Sequence, residues 1–254
     1  MIAFHVHVLR IDMNNHPSKR IVLSEYPKSG GSWVVSMLGD ALQLPKRDIY
    51  VRDGFNLFDI SKHPWYESAS SLDFPQSCII KSHELPKSPL IDFSACFFHL
   101  IRDGRDVVVS KYFYEKDFCV ENGIYDEFSV VFDEYVARIA GEWRNYVFAW
   151  LNAGFPYYLY ESFLKEPTDT LHKIINDLEL DTNIPEFQII QAVEANSKEK
   201  FKRALDQTFR HNTFVRKATH GDWRNYFNHN HVATFKDIAG DALIYLRYEK
   251  DLDW

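Results

Sequence analysis

A short loop that combines a lysine with two adjacent glycines, Pro27–Trp33, constrains the fold of this chain more than any other segment. It reads Pro-Lys-Ser-Gly-Gly-Ser-Trp, it follows a β-type apolar run at 21–26, and apolar residues with helical spacing begin at its last residue. Glycines let backbone N–H groups close around an anion, a helix N-terminus adds positive potential, and Lys28 supplies a full charge. The pattern predicts a strand, an anion-binding loop and a helix. Taken alone, it also fits a strand-to-helix turn with a solvated lysine.

Strands and helices are predicted to alternate along the rest of the chain. Short apolar runs at 78–80, 96–101 and 157–160 are typical of buried strands, and longer stretches at 103–118 and 132–150 have helical spacing. Such alternation predicts an α/β fold with a mainly parallel central sheet flanked by helices.

The composition fits a single domain. The chain has 254 residues, of which 46% are hydrophobic and 26% charged, and this is enough apolar material for one large core. We assign 1–20 to an N-terminal extension and 21–254 to the domain. Two less regular segments, 44–75 and 182–220, are expected to be lids or binding loops that recognise substrate.

Charge and cysteine content exclude several classes of protein. A formal net charge of −7 argues against a general nucleic-acid binder, which needs an excess of Lys and Arg. Cys78, Cys96 and Cys119 lack C-x-x-C spacing, so neither a disulfide framework nor a zinc site is predicted. The sequence contains neither a signal-peptide pattern nor an apolar run of about 18 residues, which a membrane span needs. We therefore expect a cytoplasmic protein without a membrane, nucleic-acid or metal partner.

Five motifs in order along the chain resemble the sulfotransferase family that uses 3′-phosphoadenosine 5′-phosphosulfate (PAPS). Tyr26–Trp33 is similar to that family's 5′-phosphosulfate loop, typically Y-P-K-S-G-T-T-W, and Arg102–Ser110 is similar to its 3′-phosphate motif, R-N-P-K-D-V-x-V-S. Lys81–Pro86 resembles the K-T-H-x-P segment with the catalytic histidine. Tyr160–Pro167 resembles Y-E-D-L-x-x-D-P, and Arg216–Asn225 resembles the donor-closing loop R-K-G-x-x-G-D-W-K-N.

The resemblance spans roughly residues 21–254 and implies the P-loop-like nucleotide-binding sulfotransferase fold. The implied activity moves a sulfuryl group from PAPS to a hydroxyl or amine of a small-molecule acceptor and releases 3′-phosphoadenosine 5′-phosphate (PAP). In this reading His83 is the general base, because the acceptor oxygen must lose a proton and a histidine pKa lies near neutrality. Lys28 stabilises the leaving phosphate, and Lys81 orients the sulfuryl oxygens.

The same resemblance implies the donor contacts. Backbone N–H groups of the 29–32 loop bind the 5′-phosphate, Arg102 and Ser110 clamp the 3′-phosphate, and the Arg216–Lys217 pair adds charge beside it. Aromatic contact with adenine is expected from Trp33. The expected donor-binding residues are Lys28, Ser29, Gly30, Gly31, Ser32, Trp33, Arg102, Ser110, Tyr160, Ser197, Arg216, Lys217 and Ala218.

The sequence departs from the family pattern at three places. Where a T-S-F triplet usually lies near adenine, this chain has Asn196-Ser197-Lys198, and Ala218 replaces the glycine of the donor-closing loop. The stretch 224–233 lacks the Thr-Val pair and the Glu of the family's K-x-x-x-T-V-x-x-x-E dimer segment. We therefore expect a monomer, or a dimer that does not use that segment.

Two other functions fit part of the pattern. A P-loop kinase-like phosphotransferase shares the sheet and the anion loop, but it needs G-x-x-x-x-G-K-[ST], in which the lysine follows the second glycine, whereas Lys28 precedes both glycines. A non-catalytic PAP-binding protein would keep the fold, and the presence of both Lys28 and His83 argues against it. The acceptor stays open between a small hydroxylated molecule and a cationic or amine-bearing one.

Overall fold

A five-stranded parallel sheet forms the centre of the chain. The structure is a computed structural model that describes residues 20–48, 51–52, 56–57, 77–87, 96–180, 183–208, 217 and 219–254. Its strand order is β2-β5-β1-β6-β7, and β3 and β4 pair separately as an antiparallel ribbon. The strands are β1 Arg20–Glu25, β2 Lys46–Asp48, β3 Val51–Arg52, β4 Asn56–Leu57, β5 Cys78–Ser82, β6 Cys96–Ile101 and β7 Tyr157–Leu159.

Helices connect and cover these strands. A π-helical segment, Tyr114–Cys119, directly continues one helix, and a short 3₁₀ turn, Asp222–Asn225, precedes the last. The α-helices are α1 Gly31–Leu42, α2 Gly104–Phe113, α3 Phe132–Asn152, α4 Tyr160–Lys165, α5 Pro167–Asp177, α6 Glu186–Ala195, α7 Lys198–Thr208 and α8 His229–Tyr245.

Both faces of the sheet are buried under helices. Along β1, Ile21 and Leu23 pack into one apolar cluster with α1, α5 and α6, whereas Val22 packs into the other with α2, α3 and α8. Trp143 and Trp150 of α3 are among the largest fully buried side chains of the second cluster. This explains why the strands are nearly continuous apolar runs, as expected for parallel strands that are covered on both sides.

The strand register brings several polar segments to one edge. Ser24 of β1 lies opposite Ser82 of β5 and His99 of β6. Because these strands are parallel, their carboxyl ends meet, and the segments that follow them leave the sheet at neighbouring points. Lys28 and Arg102 lie on two of those segments.

The predicted α/β architecture is confirmed, the predicted strand 96–101 coincides with β6, and the other three predicted strands differ from the observed ones by one or two residues at their ends. The helix predicted over 103–118 ends at Phe113 and continues as the π-helical segment. The prediction that 182–220 is irregular was wrong, since α6 and α7 occupy most of its described part.

Two predicted segments lie mainly outside the described residues. Of the segment 44–75, the structure describes β2, β3, β4 and the residues that lead into β2. Of the predicted extension 1–20, it describes Arg20, which begins β1. No helix in the described ranges combines the length and apolarity that a membrane crossing requires.

Candidate active site

The loop between β1 and α1 turns through two residues in the left-handed region. Lys28 has φ 75° and Gly30 has φ 101°. Gly30 is the N-cap of α1, and its carbonyl oxygen accepts the N–H of Trp33 at 3.1 Å. A Cβ at Gly30 would lie 2.5 Å from the Tyr160 ring, so both the backbone conformation and the close packing require glycine there. The backbone N–H groups of the loop therefore lie at the N-terminus of α1, where an anion can bind.

The Lys28 ammonium lies against an aromatic ring. Its Nζ is 4.1 Å from the centroid of Tyr114, the first residue of the π-helical segment. Burial, and then the neighbouring Lys81, lower the pKa of Lys28 to about 7. An anion bound beside this lysine would favour its charged form.

Lys81 lies at the end of β5 among two carboxylates and a histidine. Its Nζ donates to Asp48 Oδ2 at 3.0 Å, lies 3.4 Å from His83 Nε2 and lies 3.9 Å from Glu25 Oε1. Burial opposes the charge of this ammonium, but Asp48 and Glu25 together outweigh burial and raise the pKa of Lys81. Lys81 therefore stays protonated at neutral pH.

The His83 ring is held by the backbone of β1. Its Nδ1 lies 2.9 Å from the carbonyl oxygen of Glu25. Because a carbonyl oxygen can only accept, Nδ1 carries the proton in the neutral ring and Nε2 carries the lone pair. Burial, followed by the Lys81 charge, lowers the pKa of His83 to about 3. His83 thus presents a neutral imidazole whose Nε2 carries the lone pair and faces Lys81.

Arg102 connects two loops that are distant in sequence. Its Nη1 donates to the carbonyl oxygen of Lys28 at 3.0 Å, and its Nη2 donates to that of Thr219 at 3.2 Å. The guanidinium also lies 4.9 Å from the centroid of the Tyr160 ring. Ser110 lies farther along α2, where it is partly buried.

Two buried donors in this region are unsatisfied by the described parts of the chain. Arg102 Nε and Ser29 Oγ are both inaccessible, and neither finds a hydrogen-bond partner there. Buried polar atoms are normally hydrogen-bonded, so an unpaired donor needs an explanation. An anionic group with acceptor oxygens would provide a partner to each of them.

Asp106 of α2 holds the segment that follows Thr219. Its Oδ2 accepts the Gly221 N–H at 2.7 Å and its Oδ1 accepts the Trp223 N–H at 2.9 Å. The His220 ring lies 3.7 Å from both Asp106 and Glu161. The pKa of His220 is raised, chiefly by its hydrogen bond with Glu161. These contacts fix residues 219–223 against the helix that follows Arg102.

Asp103, Asp106 and His220 place potential metal-ligand atoms within 4.8 Å of one another. Asp103 is already bound to Arg105 by hydrogen bonds of 2.9 and 2.7 Å, and Asp106 accepts the two backbone N–H groups of the 219–223 segment. The cluster is therefore accounted for by contacts within the protein.

The residues expected near adenine also come together. Trp33 Nε1 donates to the carbonyl oxygen of Asn196 at 2.7 Å, and the Trp33 and Tyr160 rings meet edge to face at 5.9 Å. Ser197 follows directly and begins the turn into α7. Lys217 donates to Asp222 at 2.8 Å. The remaining two expected residues, Arg216 and Ala218, lie outside the described ranges.

Sequence reasoning missed two residues of this site, namely Glu25 and Asp48. Glu25 precedes the loop motif as the last residue of β1, where an acid at the end of an apolar run was a usable signal. Asp48 lies on a short edge strand, and its position has no sequence pattern that separates it from an ordinary surface residue.

Comparison with known proteins identifies the family. Residues 18–246 match the family described as "Sulfotransferase domain". Mouse sulfotransferase 2A6 is 25% identical over 250 residues, which cover 88% of this chain and 84% of that protein. The fold is similar to that of mouse sulfotransferase SULT7A1 complexed with PAP, with a TM-score of 0.67 and 21% identity over 90% of this chain and 84% of that one. It is also similar to that of retinol dehydratase in a complex with retinol and PAP, with a TM-score of 0.64 and 18% identity over 90% of this chain and 82% of that one.

The family match extends over most of the chain and confirms the resemblance drawn from the five motifs. The parallel sheet with helices on both faces agrees with it. The chain is therefore a member of the sulfotransferase family.

Proposed function

We propose that the protein transfers a sulfuryl group from PAPS to a hydroxyl or amine of a small-molecule acceptor and releases PAP. The observation that carries this proposal is the convergence of three side chains beside the anion loop. Lys81 Nζ lies 3.4 Å from His83 Nε2, and Lys28 extends from the same edge of the sheet. This arrangement combines a proton acceptor with two cations, which sulfuryl transfer needs.

The residues present fit a nucleotide that carries an anionic group at each end. Loop residues 29–32 would hold the 5′-phosphate, and Ser29 Oγ is a buried donor available to it. Arg102, through its unpaired Nε, and Ser110 would hold the 3′-phosphate, and Lys217 would add charge beside it. Trp33 and Tyr160 would contact the adenine. Since all the required positive charge comes from side chains, we propose a reaction without a metal.

The proposed base is His83. Its Nε2 would accept the proton of the acceptor hydroxyl while the Glu25 carbonyl holds Nδ1–H and keeps the ring oriented. Its pKa is low because of burial and Lys81, and the negative charge of a bound donor would raise it toward neutrality. A base whose pKa approaches the working pH transfers protons most efficiently.

The two lysines would act on charge that develops during transfer. As the acceptor oxygen bonds to sulfur and the bond from sulfur to the bridging oxygen breaks, Lys28 would neutralise the leaving phosphate. Lys81 would orient the sulfuryl oxygens for direct in-line transfer, without a covalent intermediate on the enzyme.

A small acceptor is proposed by analogy with the retinol-bound neighbour. Tyr114 and Phe118, whose rings stack at 5.1 Å, place aromatic side chains beside Lys28. Aromatic side chains of this kind are common in sites for small hydroxylated molecules with an apolar body.

The test is a panel of phenols, alcohols, amines and sugars incubated with PAPS and the purified protein, with PAP release and sulfated product measured by mass spectrometry. For the active acceptor we expect His83→Ala to lower kcat by about 100-fold or more, since a positioned base contributes about 10²–10⁴-fold. PAP binding should be retained. The matched control is His229→Ala, an exposed histidine at the start of α8, which should keep full activity. Turnover that survives His83→Ala would show that the base is another group.

A further inference from the structure

Glu25 places a carboxylate inside the loop that we propose binds the 5′ end of the donor. It is the last residue of β1, and its side chain is 2% exposed. Its Oε2 accepts the Gly31 N–H at 2.5 Å, and its Oε1 lies 3.9 Å from Lys81 Nζ. The Gly31 N–H is one of the backbone donors assigned above to the 5′-phosphate. A carboxylate of the protein thus occupies a backbone N–H group that the 5′-phosphate would need.

The loop sequence is matched to this carboxylate. A Cβ added at Gly31 would lie 2.5 Å from the carboxyl carbon of Glu25. The family motif quoted above has Thr at this position, whereas this chain has Gly. The glycine therefore leaves the space that the Glu25 carboxylate fills.

Charged groups of both signs face the Glu25 carboxylate. Lys81 from β5 and Lys28 from the loop attract it, and Asp48 at the end of β2 repels it. Burial outweighs the two lysines and the Gly31 N–H and raises the pKa of Glu25 to about 7. The carboxyl group can therefore gain or lose a proton near neutral pH.

The other titratable neighbours stay uncharged. The His83 ring, which is bound to the carbonyl of Glu25, is neutral because its pKa is lowered. Burial raises the pKa values of the Tyr146 and Tyr160 hydroxyls, so neither ionises near neutrality. Near neutral pH, the groups at this position that change their protonation are therefore Glu25 and Lys28.

On the basis of the proposed PAPS-dependent function, we propose that Glu25 is a positioning residue that blocks the 5′-phosphate cradle while ionised and admits the donor when protonated. An ionised carboxylate and an anionic phosphate cannot both accept from the Gly31 N–H without strong like-charge repulsion. A protonated carboxyl group instead offers an O–H donor to a phosphate oxygen. Donor binding should therefore take up one proton from solvent onto Glu25.

The expected size of the effect follows from the protonated fraction. With a pKa of about 7, roughly one Glu25 in ten is protonated at pH 8, so the apparent PAP affinity is reduced about tenfold there. At pH 6 about nine in ten are protonated, and the reduction disappears. Affinity should therefore be high below pH 7 and should fall as the pH rises through 7.

The test is calorimetric titration of PAP into the wild-type protein and Glu25→Gln at pH 6, 7 and 8. Gln keeps the hydrogen-bonding shape of the protonated acid but does not titrate. We expect Glu25→Gln to bind PAP about tenfold more tightly than wild type at pH 8 and equally at pH 6. The ratio of the two affinities cancels the protonation of PAP, because both proteins bind the same ligand. Titrations in buffers of different ionisation enthalpy should show that wild type takes up about one more proton than Glu25→Gln at pH 8.

The charge-matched control is Asp177→Asn, at the end of α5, where the Asp177 side chain is 40% exposed beside Lys173. Any effect of this control on PAP affinity should be the same at all three pH values. If Glu25→Gln fails to fold, Glu25→Ala replaces it, and the ratio of variant to wild-type affinity should still rise about tenfold between pH 6 and pH 8.

Equal wild-type and variant affinities at every pH, with equal proton uptake, would overturn the role of Glu25 and leave donor binding intact. PAP that binds to none of these proteins at pH 6 would instead contradict the proposed function.

Discussion

Gly30 and Gly31 are adjacent, yet the structure requires them for different reasons. Gly30 has φ 101° and packs under the Tyr160 ring, so any side chain there is strained. Gly31 begins α1, where a side chain is blocked by the Glu25 carboxyl group. The first glycine shapes the backbone of the loop, and the second accommodates a buried acid.

A double-mutant cycle tests the second of these causes. Gly31→Ala should lower the free energy of unfolding by about 1–3 kcal/mol, because overpacking forces the buried Glu25 to move. In a Glu25→Ala background the same change should have little effect, since alanine favours a helix and the obstacle is gone. Urea unfolding followed by circular dichroism measures all four proteins.

The control for this cycle is Gly141→Ala on α3, where a Cβ would lie 3.7 Å from Ile238, an ordinary contact. It should be neutral or slightly stabilising. If Gly31→Ala costs as much with Glu25→Ala as without it, the clash with Glu25 is not the cause.

At the scale of elements, α2 organises the site through its first turn. Asp103 caps the helix by accepting the Arg105 N–H at 3.0 Å, and Asp106 accepts the backbone of Gly221 and Trp223. The same turn therefore orders the segment 219–223, to which Arg102 also donates.

Asp106→Asn should loosen this segment. An amide has one acceptor oxygen, so it can satisfy only one of the two N–H groups, and the other loses its partner at a cost of about 1–3 kcal/mol. Hydrogen exchange of the amides at 219–225 should become faster, and PAP affinity should fall about 5-fold or more because the segment must be ordered on binding. Asp241→Asn, which removes a surface pair with Arg144, should leave this exchange unchanged. Unchanged exchange in Asp106→Asn would contradict the anchoring role.

The sequence predicts some elements of this fold better than others. The strands with continuous apolar runs were found because burial on both faces leaves them no polar positions. The helices α6 and α7 were missed because their apolar pattern is weak. Only Ile189 and Ala192 are buried in α6, and Lys198–Thr208 is mostly charged or polar. Tertiary contacts stabilise such helices more than their own sequence does.

Short motifs predicted which residues lie together at the candidate site. The positions of Lys28, Lys81, His83 and Arg102 follow from strand ends that meet at one edge of a parallel sheet. The contact between Glu25 and Gly31 could not be predicted, because it depends on the turn of the loop through two left-handed residues. Such backbone conformations are not encoded in apolar periodicity.

At the scale of the whole molecule, the last residues of the chain pack against the first turn of α2. The Arg105 guanidinium lies between the rings of Trp223 and Trp254, at 4.3 and 4.4 Å from their centroids, and pairs with Asp103 and Glu249. Arg105 is 2% exposed, so this is a buried cluster that joins three distant parts of the sequence. That the chain is a monomer, or a dimer without the usual C-terminal segment, stays a prediction.

Trp254→Ala should lower the thermal stability of the whole domain. It removes one of the two rings that face the buried Arg105, a contact with a value of about 1–2 kcal/mol, together with apolar area. Scanning calorimetry should show a single transition at lower temperature. The control is Tyr245→Ala. Because the Tyr245 ring is 59% exposed at the end of α8, this change should lower the melting temperature less. An unchanged melting temperature for Trp254→Ala would show that the terminal ring does not support the cluster.

Arg102 has a consequence for how such a sequence can diverge. It donates to backbone carbonyls of Lys28 and Thr219, and carbonyl oxygens are the same whatever side chain follows. A change of the Lys28 or Thr219 side chain therefore leaves these two hydrogen bonds in place, whereas a lysine at 102 would lose the planar fork that reaches both. The separation of the two loops thus depends on one side chain and two backbone atoms.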